Sequence, residues 1–224
     1  MPVKTQGTML GDLLKYEAEA LYCREQVTVL AGAGAARELT MGMVLGRVTK
    51  GAANAAAEAG NTGDGAITAH PAVGADAKVG VYRLTCIKAA QNGGLFLVED
   101  PDGIVIGEAS VGVQFAKHLT FTIADGAADF VVGDAFTITV LAGSGKYVQF
   151  KPAATDGANV ACGVLLFDCS AADGADNPDG VALVRGPAIV ADGELLWPAG
   201  IQAADKAAAL AALTVLGILA RTEA

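Results

Sequence analysis

Apolar and polar residues alternate in short runs along most of the chain, and glycine-rich turns separate the runs. Gln26-Val27-Thr28-Val29-Leu30 is rich in β-formers, Ala31-Gly32-Ala33-Gly34 reads as a turn, and Met43-Val44-Leu45-Gly46-Arg47-Val48-Thr49 resumes the pattern. Together they predict a hairpin or meander. The alternation returns in Val79–Cys86, Leu95–Glu99, Ile104–Gly107, Leu119–Ile123 and Ala135–Val140. Asp100-Pro101-Asp102-Gly103 carries a type I turn signal between two of these runs. Several strands at turn-punctuated spacing, with no helical pattern between them, predict a small antiparallel β-sandwich. A third set follows in Tyr147–Phe150, Val160–Leu166 and Val181–Val184, with the loop 171–180 between the last two.

Three stretches break the alternation. Gly51 to Gly65 is alanine-rich without hydrophobic contrast and reads as a linker or short helix, and Leu141-Ala142-Gly143-Ser144-Gly145 reads as a second linker. Two joints that bracket a β block predict one domain interrupted by another, at a loop that tolerates insertion. The third break is near the C-terminus. Trp197, the only tryptophan, precedes Pro198, so the strand is expected to end there in a corner that anchors a local core or an interface. Gln202 to about Leu216 then predicts a helix, with Ala207, Leu210 and Leu213 at helical spacing and Gly217 suited to the left-handed position past its end. At the other end, residues 1–20 read as an arm. Met9, Leu10, Leu13, Leu14 and Tyr16 lie outside any strand-turn-strand unit, as in segments that order on a partner. The fold expected is α+β and mostly β, with an arm at 1–20, a discontinuous domain at 21–53 and 144–224, and an inserted β domain at 54–143.

Composition narrows the function. The chain has 224 residues and a formal charge of -9, which argues against nucleic acid and against anionic membranes as partners. The longest apolar run, Ala207 to Ala220, is broken by Thr214 and Gly217 and is too short to span a membrane. The first residues carry no signal-peptide core, which points to synthesis in the host cytoplasm. Cys23, Cys86, Cys162 and Cys169 form no metal-ligand pattern with each other or with His70 and His118, so buried neutral thiols are expected; a Cys162–Cys169 link or an intersubunit disulfide is the alternative.

Each motif with chemical promise has a simpler reading. Gly32-Ala33-Gly34-Ala35-Ala36-Arg37 resembles a dinucleotide loop, but Arg37 replaces the third glycine and no helix follows to hold a pyrophosphate. Gly143-Ser144-Gly145-Lys146-Tyr147 lacks the first glycine of a phosphate loop and its Mg²⁺-binding hydroxyl. Asp173, Asp176 and Asp179 lack calcium-loop spacing. Neither histidine sits in a nucleophile motif. No catalytic residue, metal or cofactor is expected.

The two ends of the chain resemble the head decoration protein family of phage lambda. Leu195-Leu196-Trp197-Pro198, Lys206 in an alanine-rich helix, Thr214 and a short terminal apolar strand are similar to the family's C-terminus. Gly11-Asp12-Leu13-Leu14-Lys15-Tyr16-Glu17, Tyr22-Cys23-Arg24-Glu25, Gly42 to Thr49 and Asp156 to Leu165 are similar to its other segments. The resemblance covers residues 9–50 and 145–221, and Cys23 stands where a serine is more familiar. It implies a small α/β decoration domain that caps the outside of an expanded head as a homotrimer. It further implies an arm that orders on the major capsid protein through Met9, Leu10, Leu13, Leu14 and Tyr16, and no catalysis. Trp197, Pro198 and Leu210 would form the core or the trimer interface. The alternative from another class is a carbohydrate- or cell-binding adhesin with the insert as its module, although Tyr82, Phe96, Phe115, Phe121, Phe130 and Phe136 fall mostly on alternating strands and are expected to be core.

Overall fold

The computed structural model describes residues 8–222. The chain forms two compact units, one from residues 1–48 and 145–224 and the other from 49–144.

In the first unit, Arg24–Val29, Val44–Arg47, Tyr147–Gln149, Ala161–Leu165 and Asn177–Leu183 close into a five-stranded barrel. Val27, Val29, Leu45, Leu165 and Ala182 share one buried cluster, the inward half of the alternation along those strands. The hairpin expected between residues 26–30 and 43–49 is not formed. Tyr147–Gln149 lies between the two strands, parallel to the first and antiparallel to the second. Closure needs a strand from far along the chain, and local alternation carries no trace of it. The strands approach closely: a Cβ at Gly46 would lie 2.4 Å from the Ala158 carbonyl oxygen.

A three-stranded sheet adjoins, with Ala188–Ala191 in the middle, antiparallel to Leu14–Glu17 and parallel to Ile218–Arg221. A parallel return needs a crossover, and the helix Ala203–Val215 supplies it. The helix buries Ala209 and Leu213 and packs Leu210, Ala212 and Leu216 on the same core, while Ala207, expected in the stripe, is exposed. Gly217 ends the helix at φ +79°, in the left-handed conformation its position called for.

The second unit is built on an antiparallel sheet in the order Val105–Ser110, Gly93–Glu99, Gly80–Ala90, Ala135–Ala142, Lys50–Ala57. Its inner face presents Tyr82, Leu84, Phe96, Val98, Phe136 and Ile138. Short strands at Ala72–Val73, Phe115–Ala116 and Leu119–Phe121, and the pair Ala66–Ile67 with Ile123–Ala124, complete the same core with Phe115, Leu119, Phe121 and Ile123. The alanine-rich stretch expected to be a linker or short helix is therefore partly the edge strand Lys50–Ala57, paired with Ala135–Ala142. Alanine has too little bulk to mark an inner and an outer face, and the ladder itself uses only the backbone. The glycines after it make room for Phe130: a Cβ at Gly63 or Gly65 would come within 2.5 or 2.4 Å of its ring.

Candidate functional site

The apolar residues of the expected arm divide into two groups. Leu10–Leu13 is a single helical turn, fixed by the Met9 N–H donating to Asp12 Oδ2 at 2.8 Å. Leu13 is fully buried in the core beneath the C-terminal helix, and Leu10 and Leu14 pack against that core. Leu14–Glu17 is an edge strand of the three-stranded sheet, so these residues do belong to a paired unit, contrary to the alternation reading. The missed signal lay in the partner strand Ala188–Ala191, distant in sequence. Met9 and Tyr16 remain more than half exposed. Residues 1–7 of the expected arm lie outside the described residues.

The Trp197 corner is built from the same core. Leu195 is buried, and Leu196 exchanges backbone hydrogen bonds with Gly42 and Val44 at 2.8 and 3.2 Å. Gly42 sits at φ +87°, where a Cβ would also lie 2.4 Å from the Glu194 carbonyl oxygen. Trp197 is half-buried and meets Phe150 edge-on, with ring centroids 6.5 Å apart. The Lys206 ammonium lies 5.4 Å from the indole centroid and also pairs with Asp192. Pro198 and Leu210 are half-buried, Leu210 on the same core as Trp197. The indole Nε1 is buried without an acceptor among the described residues.

Three of the rejected motifs converge on one another. Asp173 accepts from Gly34 N at 2.8 Å, Asp176 accepts from Ala31 N at 2.9 Å, and Lys146 is ion-paired with Asp176. Asp179 accepts from Gln26 Nε2 at 3.4 Å. The glycine loop, the lysine and the acidic loop thus satisfy each other. The Lys146 ammonium, with the Ala31 N–H, holds the Asp176 carboxyl below its usual pKa range. Among the described residues no cluster of histidine, cysteine or carboxylate could hold a metal ion. All four cysteines are free thiols, so no Cys162–Cys169 bond is formed. Burial pushes the Cys162 thiol up to about 12 against the smaller opposing pull of Arg47. The six aromatic side chains named above in the middle of the chain are all buried, so none offers a stacking platform for a sugar.

Two surface features of the first unit carried no sequence signal. Leu21 is 93% exposed beside Tyr22, whose ring is covered by the Arg185 guanidinium at 5.2 Å. A cavity of about 360 Å³ is lined by Met41, Phe167 and Leu196 together with Asp168, Glu194 and Thr8. Glu194 Oε2 accepts from the Thr8 hydroxyl at 3.1 Å, and Asp168 Oδ1 accepts from Met41 N at 2.7 Å.

The family model of bacteriophage lambda head decoration protein D matches residues 3–91 and 99–218. The match runs through the middle of the chain, beyond the two ends whose residues carried the resemblance. No curated protein matches the chain. Two crystal structures of FlgL from Xanthomonas campestris, in space groups H3 and C2, are similar at 20% identity and a TM-score of 0.32. They cover 48% and 49% of this chain, which spans only 34% and 33% of the FlgL chains. A likeness that weak carries neither fold nor role.

Proposed function

The chain belongs to the bacteriophage lambda head decoration protein D family, and on that premise we propose that it docks as a homotrimer on the expanded phage head and cements it. The coarser role follows from membership: it is a structural protein of the virion, on the exterior of the capsid, in a family that is not enzymatic. The observation that carries the finer reading is the family match across nearly the whole chain, including both ends. The proposed partner is the major capsid protein, and the proposed mode is addition of the N-terminal segment to it as a strand.

The geometry supports a division of labour along that segment. Leu10, Leu13 and Leu14 anchor its base in the chain's own core. The residues before Leu10, with exposed Met9 and Tyr16, are those left to reach a partner. Trp197, Pro198 and Leu210 hold the helix and the last strand against that base. Cementing asks for many modest contacts repeated by symmetry. Three segments on one trimer raise avidity, because each bound segment holds the others at high effective concentration. A ligand that binds the expanded shell and not the open form stabilises the expanded shell by mass action. The unit 49–144 is a passenger on this scheme. No observation favours the adhesin reading, since the aromatic residues it would use are buried.

Removing residues 1–8 tests the reading without touching Leu13. The truncated chain is expected to remain a folded trimer by light scattering and to lose attachment to expanded heads in co-sedimentation. Undiminished attachment would overturn the role of the segment.

A further inference from the structure

We propose that the cavity lined by Met41, Phe167 and Leu196 is a docking site for the chain's own N-terminal segment, with Lys4 against Glu194 and Asp168 and Val3 on the apolar lining. Three observations carry this. The first is position. Thr8 lines the cavity and its hydroxyl donates to Glu194, so the chain enters the described structure at the cavity itself. Lys4 is four residues upstream of Thr8, within about 14 Å at full extension.

The second is charge. Asp168 and Glu194 each use one carboxylate oxygen in the bonds to Met41 and Thr8. The other oxygen of each accepts no hydrogen bond among the described residues. Lys4 is the single charged residue of Met1-Pro2-Val3-Lys4-Thr5-Gln6-Gly7, and its sign is the complementary one.

The third is apolar surface. Phe167 is 46% exposed and Leu196 40% exposed, a pair of large side chains that no segment of the described chain covers. Met1, Pro2 and Val3 are apolar and adjoin Lys4. A segment with a short aliphatic stretch next to one cation fits both halves of the site.

The contact is weak by nature, because an exposed ion pair contributes little. It is populated because the segment is tethered at the cavity mouth, which makes its capture intramolecular. A tethered, weak contact is a latch that a stronger competitor can open. Only this consequence rests on the proposed role of residues 1–8 in docking: a shell that binds the segment must first draw it from the cavity.

Trypsin tests the latch on the isolated full-length chain, apart from any shell. A peptide of residues 1–12 contains Lys4 as its single trypsin site. In the full chain, cleavage after Lys4 is expected to run about tenfold slower than in that peptide, because proteolysis tracks the open population. Glu194→Gln with Phe167→Ser is expected to raise that rate about fivefold or more, with unchanged thermal unfolding. The proposal is overturned if the wild-type chain is cut at the peptide's rate, or if the double variant stays as protected as wild type. Protection that vanishes on dilution would place the segment in a neighbouring copy and would also overturn it.

Discussion

Asp134 is a buried carboxylate whose oxygens accept from Thr62 N at 2.8 Å, Gly63 N at 2.9 Å and Val131 N at 3.0 Å. Burial pushes its pKa upward, but the three backbone donors outweigh it and hold the group below its ordinary value near 3.8. A carboxyl with a depressed folded pKa contributes stability above its unfolded value and loses it as pH falls through the folded one. Unfolding of residues 49–144 is therefore expected to become easier as pH drops below about 4. Asp134→Ala should flatten that dependence and cost about 3 kcal/mol at neutral pH by orphaning three donors; urea titration at several pH values reads both effects. Trp197 makes a different residue-scale case. Its half-buried ring on Phe150 and under Lys206 gives Trp197→Ala an expected loss of about 3 kcal/mol, measurable as a shift in the denaturation midpoint of the first unit. Cys162, with its thiol pushed up to about 12, should react with iodoacetamide at pH 8 at least about a hundredfold slower than free cysteine.

At the scale of elements, legibility followed side-chain contrast. Ala135–Ala142 was readable because Phe136, Ile138 and Val140 alternate with polar neighbours and all three point into the core. Its partner Lys50–Ala57 was not, because alanine offers no contrast between its two faces. The barrel strands around Val27 and Leu45 were each readable, yet their pairing was not, since the strand between them is Tyr147–Gln149. The helix Ala203–Val215 was legible from its apolar spacing, while its buried stripe runs through Ala209 rather than Ala207. Of the candidate site, Leu13 reads equally well from sequence as a contact for a partner or for the chain's own core. The cavity at Met41, Phe167 and Leu196 gathers positions that nothing local connects. Glycines provide a controlled test of the packing. Gly46→Ala sets a Cβ 2.4 Å from the Ala158 oxygen and 2.8 Å from its Cα, backbone atoms that cannot easily yield. The expected cost is about 2 kcal/mol or more. Gly11→Ala, in the turn Leu10–Leu13 with nothing within 4 Å, should instead gain about 0.5 kcal/mol. Thermal unfolding of the two variants separates these outcomes.

For the whole molecule, the relevant feature is where the chain leaves the first unit and returns. Val48 N donates to the Lys146 carbonyl at 2.9 Å, and Gly145 N donates to the Val48 carbonyl at 2.8 Å. The two ends of the first unit therefore meet, and a short bridge can replace residues 49–144. A chain of residues 1–48 joined through two glycines to 145–224 is expected to unfold cooperatively, with the Trp197 emission of the full protein. Loss of cooperative unfolding would show that the second unit is needed for the first to fold. A self-sufficient first unit, closed at one end by the Trp197 corner and opening at the other into the N-terminal segment, is what a repeated cementing contact requires. The most direct test of that account is an electron-microscopy map of expanded phage heads saturated with the full-length protein. The account predicts trimers on the outer surface at three-fold and quasi-three-fold positions, with density for residues 1–8 continuing a sheet of the major capsid protein. Heads left bare under saturating protein, or density whose N-terminal segments point away from the shell, would contradict it.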